Sequence, residues 1–198
     1  MKELVLATSN KNKLEEIKDI VISQGYKIKF ILPNKDHFNP IENGGTLEDN
    51  SYIKAKAASN LMKMYSLADD TGLFVEALDG APGIYSARYA DSQEEKIARL
   101  LSELKGKDNR KAKFKCSMTL SDKAGEILYQ SYGEIEGLIT ESRVGKNGFG
   151  YDPIFYIPEL DKTMSELSKE EKNRVSHRGK ALRLMLEWIE NNLEDVME

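Results

Sequence analysis

Short apolar runs separated by polar punctuation organise the first third of the chain. Leu4-Val5-Leu6-Ala7 has no polar interruption, the pattern of a buried strand, and Thr8-Ser9-Asn10 bounds it. The period then changes. Leu14, Ile17 and Val21 share one helical face, and Gly25 stands where a C-terminal cap belongs. Tyr26 to Leu32 returns to a strand pattern, and strand, helix, strand predicts an α/β fold. Residues 33–45 are polar and hold Pro33, Pro40, Gly44 and Gly45, which reads as a loop. Thr46 with Asp49 resembles a capping box, opening a helix to about Tyr65.

Leu67-Ala68 predicts a short strand ending in Asp69-Asp70-Thr71-Gly72, with another from Leu73 to Leu78 and a turn at Gly80-Ala81-Pro82-Gly83. Ile97, Leu101 and Leu104 give Ser92–Leu104 helical periodicity. Phe114, Cys116, Met118 and Leu120 alternate with polar residues, the period of a half-buried strand, and Ile127–Tyr132 is its expected hairpin partner across Gly125. A glycine-rich stretch, Gly145 to Gly150, leads into Tyr151–Ile157. A terminal helix places Ala181, Leu184, Met185, Trp188 and Ile189 on one apolar face, read as core or subunit interface.

The chain has 198 residues, 40% of them apolar and 31% charged, enough to bury a core without disulfides or a structural metal. No repeat or linker breaks it, so one α/β domain over residues 1–198, in two lobes, is expected. Its net charge of -4 argues against a sequence-independent nucleic-acid binder, which needs cations for phosphates. One cysteine and two histidines exclude Cys-based zinc sites and His-rich metal sites, which leaves oxygen ligands. No apolar run is long enough for a membrane span, and Met1-Lys2-Glu3 leads straight into a strand, so a soluble cytoplasmic protein is expected.

Four clusters hold candidate chemistry, and each has an ordinary structural reading beside the functional one. Thr8-Ser9-Asn10-Lys11-Asn12-Lys13 lies at a strand-to-helix junction, where free N–H groups suit a phosphate, yet taken alone it is better explained as a capped helix with solvated lysines. Asp69-Asp70-Thr71-Gly72 ends an apolar strand, the place where clefts open in α/β proteins, and Mg²⁺ is often held by one or two carboxylates plus substrate phosphates. Successive strand side chains diverge, so one acid can hold a metal while the other serves structure; the alternative is a tight turn. Phe149-Gly150-Tyr151-Asp152-Pro153 offers a ring to stack on a base and a carboxylate for its polar edge, or else a strand entry with core aromatics. Ser176-His177-Arg178-Gly179, with Lys172 upstream, supplies donors, or merely caps a helix. Cys116 reads as buried packing.

In order along the chain, Thr8-Ser9-Asn10 with Lys11 and Lys13, Ala68-Asp69-Asp70-Thr71-Gly72-Leu73, Gly80-Ala81-Pro82-Gly83-Ile84-Tyr85-Ser86-Ala87-Arg88, Gly148-Phe149-Gly150-Tyr151-Asp152-Pro153 and Ser176-His177-Arg178 resemble the inosine triphosphate pyrophosphatase family, from residue 2 to about residue 190. The resemblance implies a long twisted mixed sheet with flanking helices, two lobes around a cleft, and a homodimer. It implies hydrolysis of deaminated purine nucleoside triphosphates (ITP, dITP, XTP) to the monophosphate and pyrophosphate. Phosphate binding falls on Thr8, Ser9, Asn10, Lys11, Asn12 and Lys13, and the helix lysine facing the phosphates falls on Lys54. Asp70 takes the place of general base and metal ligand, and Thr71 contacts substrate beside it. Base recognition falls on Phe149, Gly150, Tyr151, Asp152, Lys172, His177 and Arg178. The family's metal-binding glutamate falls on Glu42, in a stretch, Ile41-Glu42-Asn43-Gly44-Gly45-Thr46-Leu47, one residue shorter than the family pattern; Asp49 stands where glutamate is usual.

The resulting expectation is metal-assisted hydrolysis. Asp70 and Glu42 hold Mg²⁺, Asp70 orients or deprotonates the water, and Lys11, Lys13 and Lys54 offset developing charge. Two alternatives stand beside it: a septum-inhibitor-like pyrophosphatase for modified pyrimidine nucleotides, and a nucleotide-binding regulator without catalysis. The partner expected is a small nucleoside triphosphate, with neither nucleic acid nor membrane.

Overall fold

The computed structural model describes residues 2–34 and 36–193; of the expected 33–45 loop, Lys35 lies outside them. Among the described residues the strands are β1 (Lys2–Leu6), β2 (Ile28–Ile31), β3 (Ser66–Val75), β4 (Pro82–Gly83), β5 (Lys111–Ser121), β6 (Ile127–Ile139), β7 (Phe155–Ile157) and β8 (Lys162–Thr163). The helices are α1 (Lys11–Ser23), α2 (Leu47–Met62), α3 (Gln93–Glu103), α4 (Lys169–Val175) and α5 (His177–Asn192). The strands form one mixed sheet in the order β2-β1-β3-β5-β6-β7-β8, with β4 paired to β3. β1 runs parallel to β2 and β3, while β4, β7 and β8 pair antiparallel with their neighbours. A mixed α/β fold with a central sheet and flanking helices is therefore present, as the resemblance implies.

The chain divides into two compact units. One comprises the described residues up to Asp70, Cys116–Gly133 and those from Arg178 onward; the other comprises Thr71–Lys115 and Glu134–His177. In the first, strand alternation sorts side chains onto two faces. Leu4, Leu6, Leu67, Cys116, Met118 and Leu120 pack with Ile17, Ile20 and Val21 of α1 and with Ala181, Leu182, Met185 and Leu186 of α5. Val5, Ala7 and Ala68 face the other way, onto Ala55 and Ala58 of α2. The second unit has its own core, in which Leu73, Val75 and Phe114 join Ile97 and Leu100 of α3 and Ile154 and Phe155.

Local signals explain most boundaries. Asn10 caps α1, its side chain accepting from the Asn12 and Lys13 N–H groups, and Gly25 follows the helix at φ +79°. Ser92 and Glu95 form a reciprocal capping box for α3. Thr46 caps α2 through the Asp49 N–H, but the helix ends at Met62 and not near Tyr65. Lys63 takes a left-handed φ of +54°, and the Tyr65 carbonyl then accepts from Val5, so the chain has already turned into the sheet.

Three expectations need correction. Asp69-Asp70-Thr71-Gly72 is no turn: β3 runs unbroken through it, because each buried carboxylate has a cation to meet. Gly72 serves another purpose there, since a Cβ on it would stand 2.4 Å from the Gly83 carbonyl oxygen of the paired β4. β5 is buried on both faces from Cys116 on, not half-buried. Its Ser117, Thr119 and Ser121 meet hydroxyls of α2, with Ser51 at 2.7 Å from Thr119 and Ser59 at 2.7 Å from Ser121, so small polar partners replace solvent. On α5, Leu184 is exposed, while Leu182 and Leu186 are fully buried beside Ala181, Met185 and Ile189.

Candidate active site

Asp69 and Asp70 are consecutive on β3 and therefore point to opposite faces. Asp70 shares the face of Ala68, against α2. Lys54 lies on the stripe of α2 that also buries Asn50, Ser51, Ala55 and Ala58. Its Nζ is 2.8 Å from Asp70 Oδ1 and 3.0 Å from Glu42 Oε2, so one ammonium gathers two carboxylates. Burial opposes the charge on Lys54, but Asp70, Asp69 and Glu42 outweigh it and raise its pKa. Asp70 moves upward too: loss of water outweighs the pull of Lys54 and Lys13. Its second oxygen, Oδ2, is buried without a hydrogen-bond partner. Among the described residues no group of three or more His, Cys, Asp or Glu gathers to hold a metal. Two neighbouring carboxylates, one with an unsatisfied oxygen, fit a hard cation that takes its remaining ligands from water and phosphate.

Asp69 faces α1 and α5. Its Oδ2 receives Lys13 Nζ at 2.9 Å and Arg178 Nε at 3.2 Å, and Arg178 Nη1 also meets Glu16. Burial disfavours the Asp69 carboxylate, yet the Lys13 and Arg178 charges prevail and hold its pKa well below the usual carboxylate range. Arg178, buried as well, is raised by Asp69 and Glu16 against the cost of burial. Burial pushes the neighbouring Cys116 thiol far up, which leaves it a packing group and no nucleophile.

In the second unit Lys172, on α4, places Nζ 2.6 Å from Asp152 Oδ2 and 4.7 Å from the centre of the Phe149 ring. The same Asp152 oxygen accepts the Phe149 N–H at 2.8 Å. Gly148, at φ +76°, makes this loop possible: a Cβ would fall 2.1 Å from Asp152 Oδ2. His177 stacks on Phe114 with ring centres 4.8 Å apart. Tyr151 belongs to the core and donates its hydroxyl to the Ser86 carbonyl at 3.1 Å.

The sequence pattern of the Ham1 family matches residues 4–188. This chain belongs to the Ham1 family. It is 42% identical to a dITP/XTP pyrophosphatase of Staphylococcus epidermidis over 193 residues, covering 96% of this chain and 97% of that protein. A dITP/XTP pyrophosphatase of Gloeobacter violaceus is 44% identical, with 94% and 93% covered. Among solved structures, a Ham1 protein from Coxiella burnetii superposes with a TM-score of 0.87 at 38% identity, covering 96% of this chain and all of that one.

Within this Ham1-family chain, the residues expected at the site fall into two sets. Glu42, Lys54 and Asp70 meet directly, and Lys13 joins Asp69 one residue away. Thr8 accepts the Asn10 N–H at 3.1 Å, while Ser9, Lys11 and Asn12 are exposed at the start of α1. The Asn12 and Lys13 N–H groups expected for a phosphate are already taken by the Asn10 side chain. Phe149, Asp152 and Lys172 form one cluster of the second unit, which also contains Thr71, partly buried on β3, and Gly150 at φ +63°. Tyr151 packs into the core of the second unit, and Arg178 is ion-paired to Asp69 and Glu16. Sequence reasoning missed Glu16, Asn50 and Phe114, and α4 as a helix, although it named Lys172, which α4 carries. Only α4 carried a readable signal, Ser168 followed by Glu171, which close a reciprocal capping box.

Proposed function

We propose that this chain hydrolyses ITP, dITP and XTP at the α–β phosphoanhydride, water attacking the α-phosphorus and pyrophosphate leaving from the nucleoside monophosphate. The observation that carries this reading is Lys54 gathering Asp70 and Glu42, with a buried Asp70 oxygen left unsatisfied. The names of the relatives support the substrate class. Asp70 and Glu42 would hold Mg²⁺, whose chemistry here is neutralisation and polarisation of the phosphates. Asp70, its pKa raised by burial, accepts the proton of the attacking water. Lys54 and Lys13 stand against charge developing on the leaving group, and Lys11 draws the polyphosphate to the start of α1.

Phe149 stacks on the purine, with Gly150 sparing room at its side. Lys172, His177 and Arg178 supply donors to a 6-oxo edge, which adenine, carrying a 6-amino donor, does not satisfy. Asp69 and Glu16 set the orientation of the Arg178 guanidinium for this task. A homodimer and a cytoplasmic setting follow the same family expectation; among the described residues no helix is long and apolar enough to cross a membrane. Sedimentation tests the dimer. The function is tested by incubating the protein with ITP, XTP, dITP, ATP and GTP, with and without Mg²⁺. Pyrophosphate from the deaminated substrates is expected, and release of single phosphate would withdraw the proposed bond.

A further inference from the structure

Asn50 is fully buried on α2, one turn before Lys54, and its two side-chain polar atoms are treated unequally. Its Oδ1 accepts the Gly44 N–H at 2.9 Å, whereas its Nδ2 is buried with no hydrogen-bond partner. A buried donor left unsatisfied is destabilising, so an apolar residue would fill this space more cheaply. What only the amide provides is the acceptor for Gly44. Gly44 in turn is built for this contact: a Cβ there would stand 2.5 Å from Asp49 Cβ and 2.9 Å from Asn50 Oδ1. The loop is pinned again where Thr46 caps α2 at the Asp49 N–H, 3.0 Å away. Glu42 lies two residues before Gly44 and reaches Lys54 at 3.0 Å.

We propose that Asn50 is a positioning residue for Glu42, clamping the 41–46 loop to α2 through the Gly44 amide so that the Glu42 carboxylate meets Lys54 and Asp70. The inference rests on the metal role assigned to Glu42 above. The loop is flexible in composition and exposed at Ile41, Asn43 and Gly45, so without the clamp Glu42 would sample many positions.

The test is Asn50→Leu, which keeps the volume and removes both the acceptor and the unsatisfied donor, with Gly44→Ala as an independent way to push the loop off. Mn²⁺ is titrated into each protein in the presence of an α,β-imido analogue of ITP and followed by electron paramagnetic resonance. Amide exchange at Gly44 and Tm are measured on the same samples. Each variant should bind Mn²⁺ at least about tenfold more weakly, as loss of a partner behind a metal ligand usually does. Asn50→Leu should also exchange Gly44 faster while its Tm stays close to that of the parent. Unchanged Mn²⁺ affinity in both variants overturns the inference, as does weaker binding in Asn50→Leu with Gly44 still protected. A parent protein that binds no Mn²⁺ sinks the metal reading itself, and this inference with it.

Discussion

Asn replaces Asp with almost no change of shape, so applying it to Asp69 and to Asp70 isolates charge at two adjacent positions. The structure gives the two substitutions different consequences. Asp69 is 2% exposed and its Oδ2 meets two cations, Lys13 and Arg178. Asp69→Asn leaves Lys13 and Arg178 facing a neutral amide. Removing one partner from a buried ion pair costs about 3–5 kcal/mol, the lower end applying here because Glu16 still holds Arg178. For a chain of this size each kcal/mol moves Tm by about 2–4 °C, so a fall of roughly 6–12 °C is expected. Asp70 differs. Burial raises its pKa despite Lys54, and Glu42 still holds Lys54 when Asp70 is neutral, so Asp70→Asn should lower Tm less than Asp69→Asn does while abolishing pyrophosphate release. Calorimetry on both variants with a pyrophosphate assay on each is the measurement. Equal losses of Tm, or a larger loss at Asp70, would refute the division of labour between the two acids.

Base selection is tested by kcat/KM on ITP and ATP. Phe149→Ala should weaken both substrates together, by about 1–3 kcal/mol of stacking, whereas Arg178→Ala should narrow the preference for ITP; an equal loss on both substrates for Arg178→Ala would remove it from the base. Burial first, and then the Glu103 carboxylate, push Tyr89 up to about 12 from 10.0, so the folded chain keeps a proton that the unfolded chain sheds. That stability is complete below pH 10.0 and is lost as pH rises toward the folded value, and Tyr89→Phe should flatten this alkaline decline in urea unfolding. Leu182→Ala should cost about 2–5 kcal/mol by opening a core cavity, and Leu184→Ala, on the exposed side of α5, should change Tm little; equal effects would contradict the orientation of the helix.

How much of this was legible in the sequence depended on how local the deciding interaction is. The cap at Thr46, the start of a helix at Ser92 and the run Leu4-Val5-Leu6 were readable because neighbours in sequence settle them. The candidate residues of the site were legible as types, since lysines, paired acids and a glycine-rich aromatic loop are unusual where they stand. Their partners were not. Asp69-Asp70 carries every local mark of a turn, and it is a strand only because Lys54, Lys13 and Arg178 arrive from three different helices to offset two buried charges. Leu184 fits the helical stripe as well as Leu182 does, and only the direction from which the sheet approaches α5 separates them.

The same distinction bears on Glu42. Nothing nearby in sequence says whether its carboxylate reaches the site. The answer lies in contacts distant in sequence, where Lys54 meets Glu42 at 3.0 Å and the Asn50 side chain accepts the Gly44 N–H at 2.9 Å. A change of loop length is tolerated where the ends are already pinned, because closure entropy varies slowly with length while the anchoring contact is unchanged. By that argument an insertion at Asn43 should cost less Tm than any change at Gly44, although both should displace Glu42 and weaken metal binding.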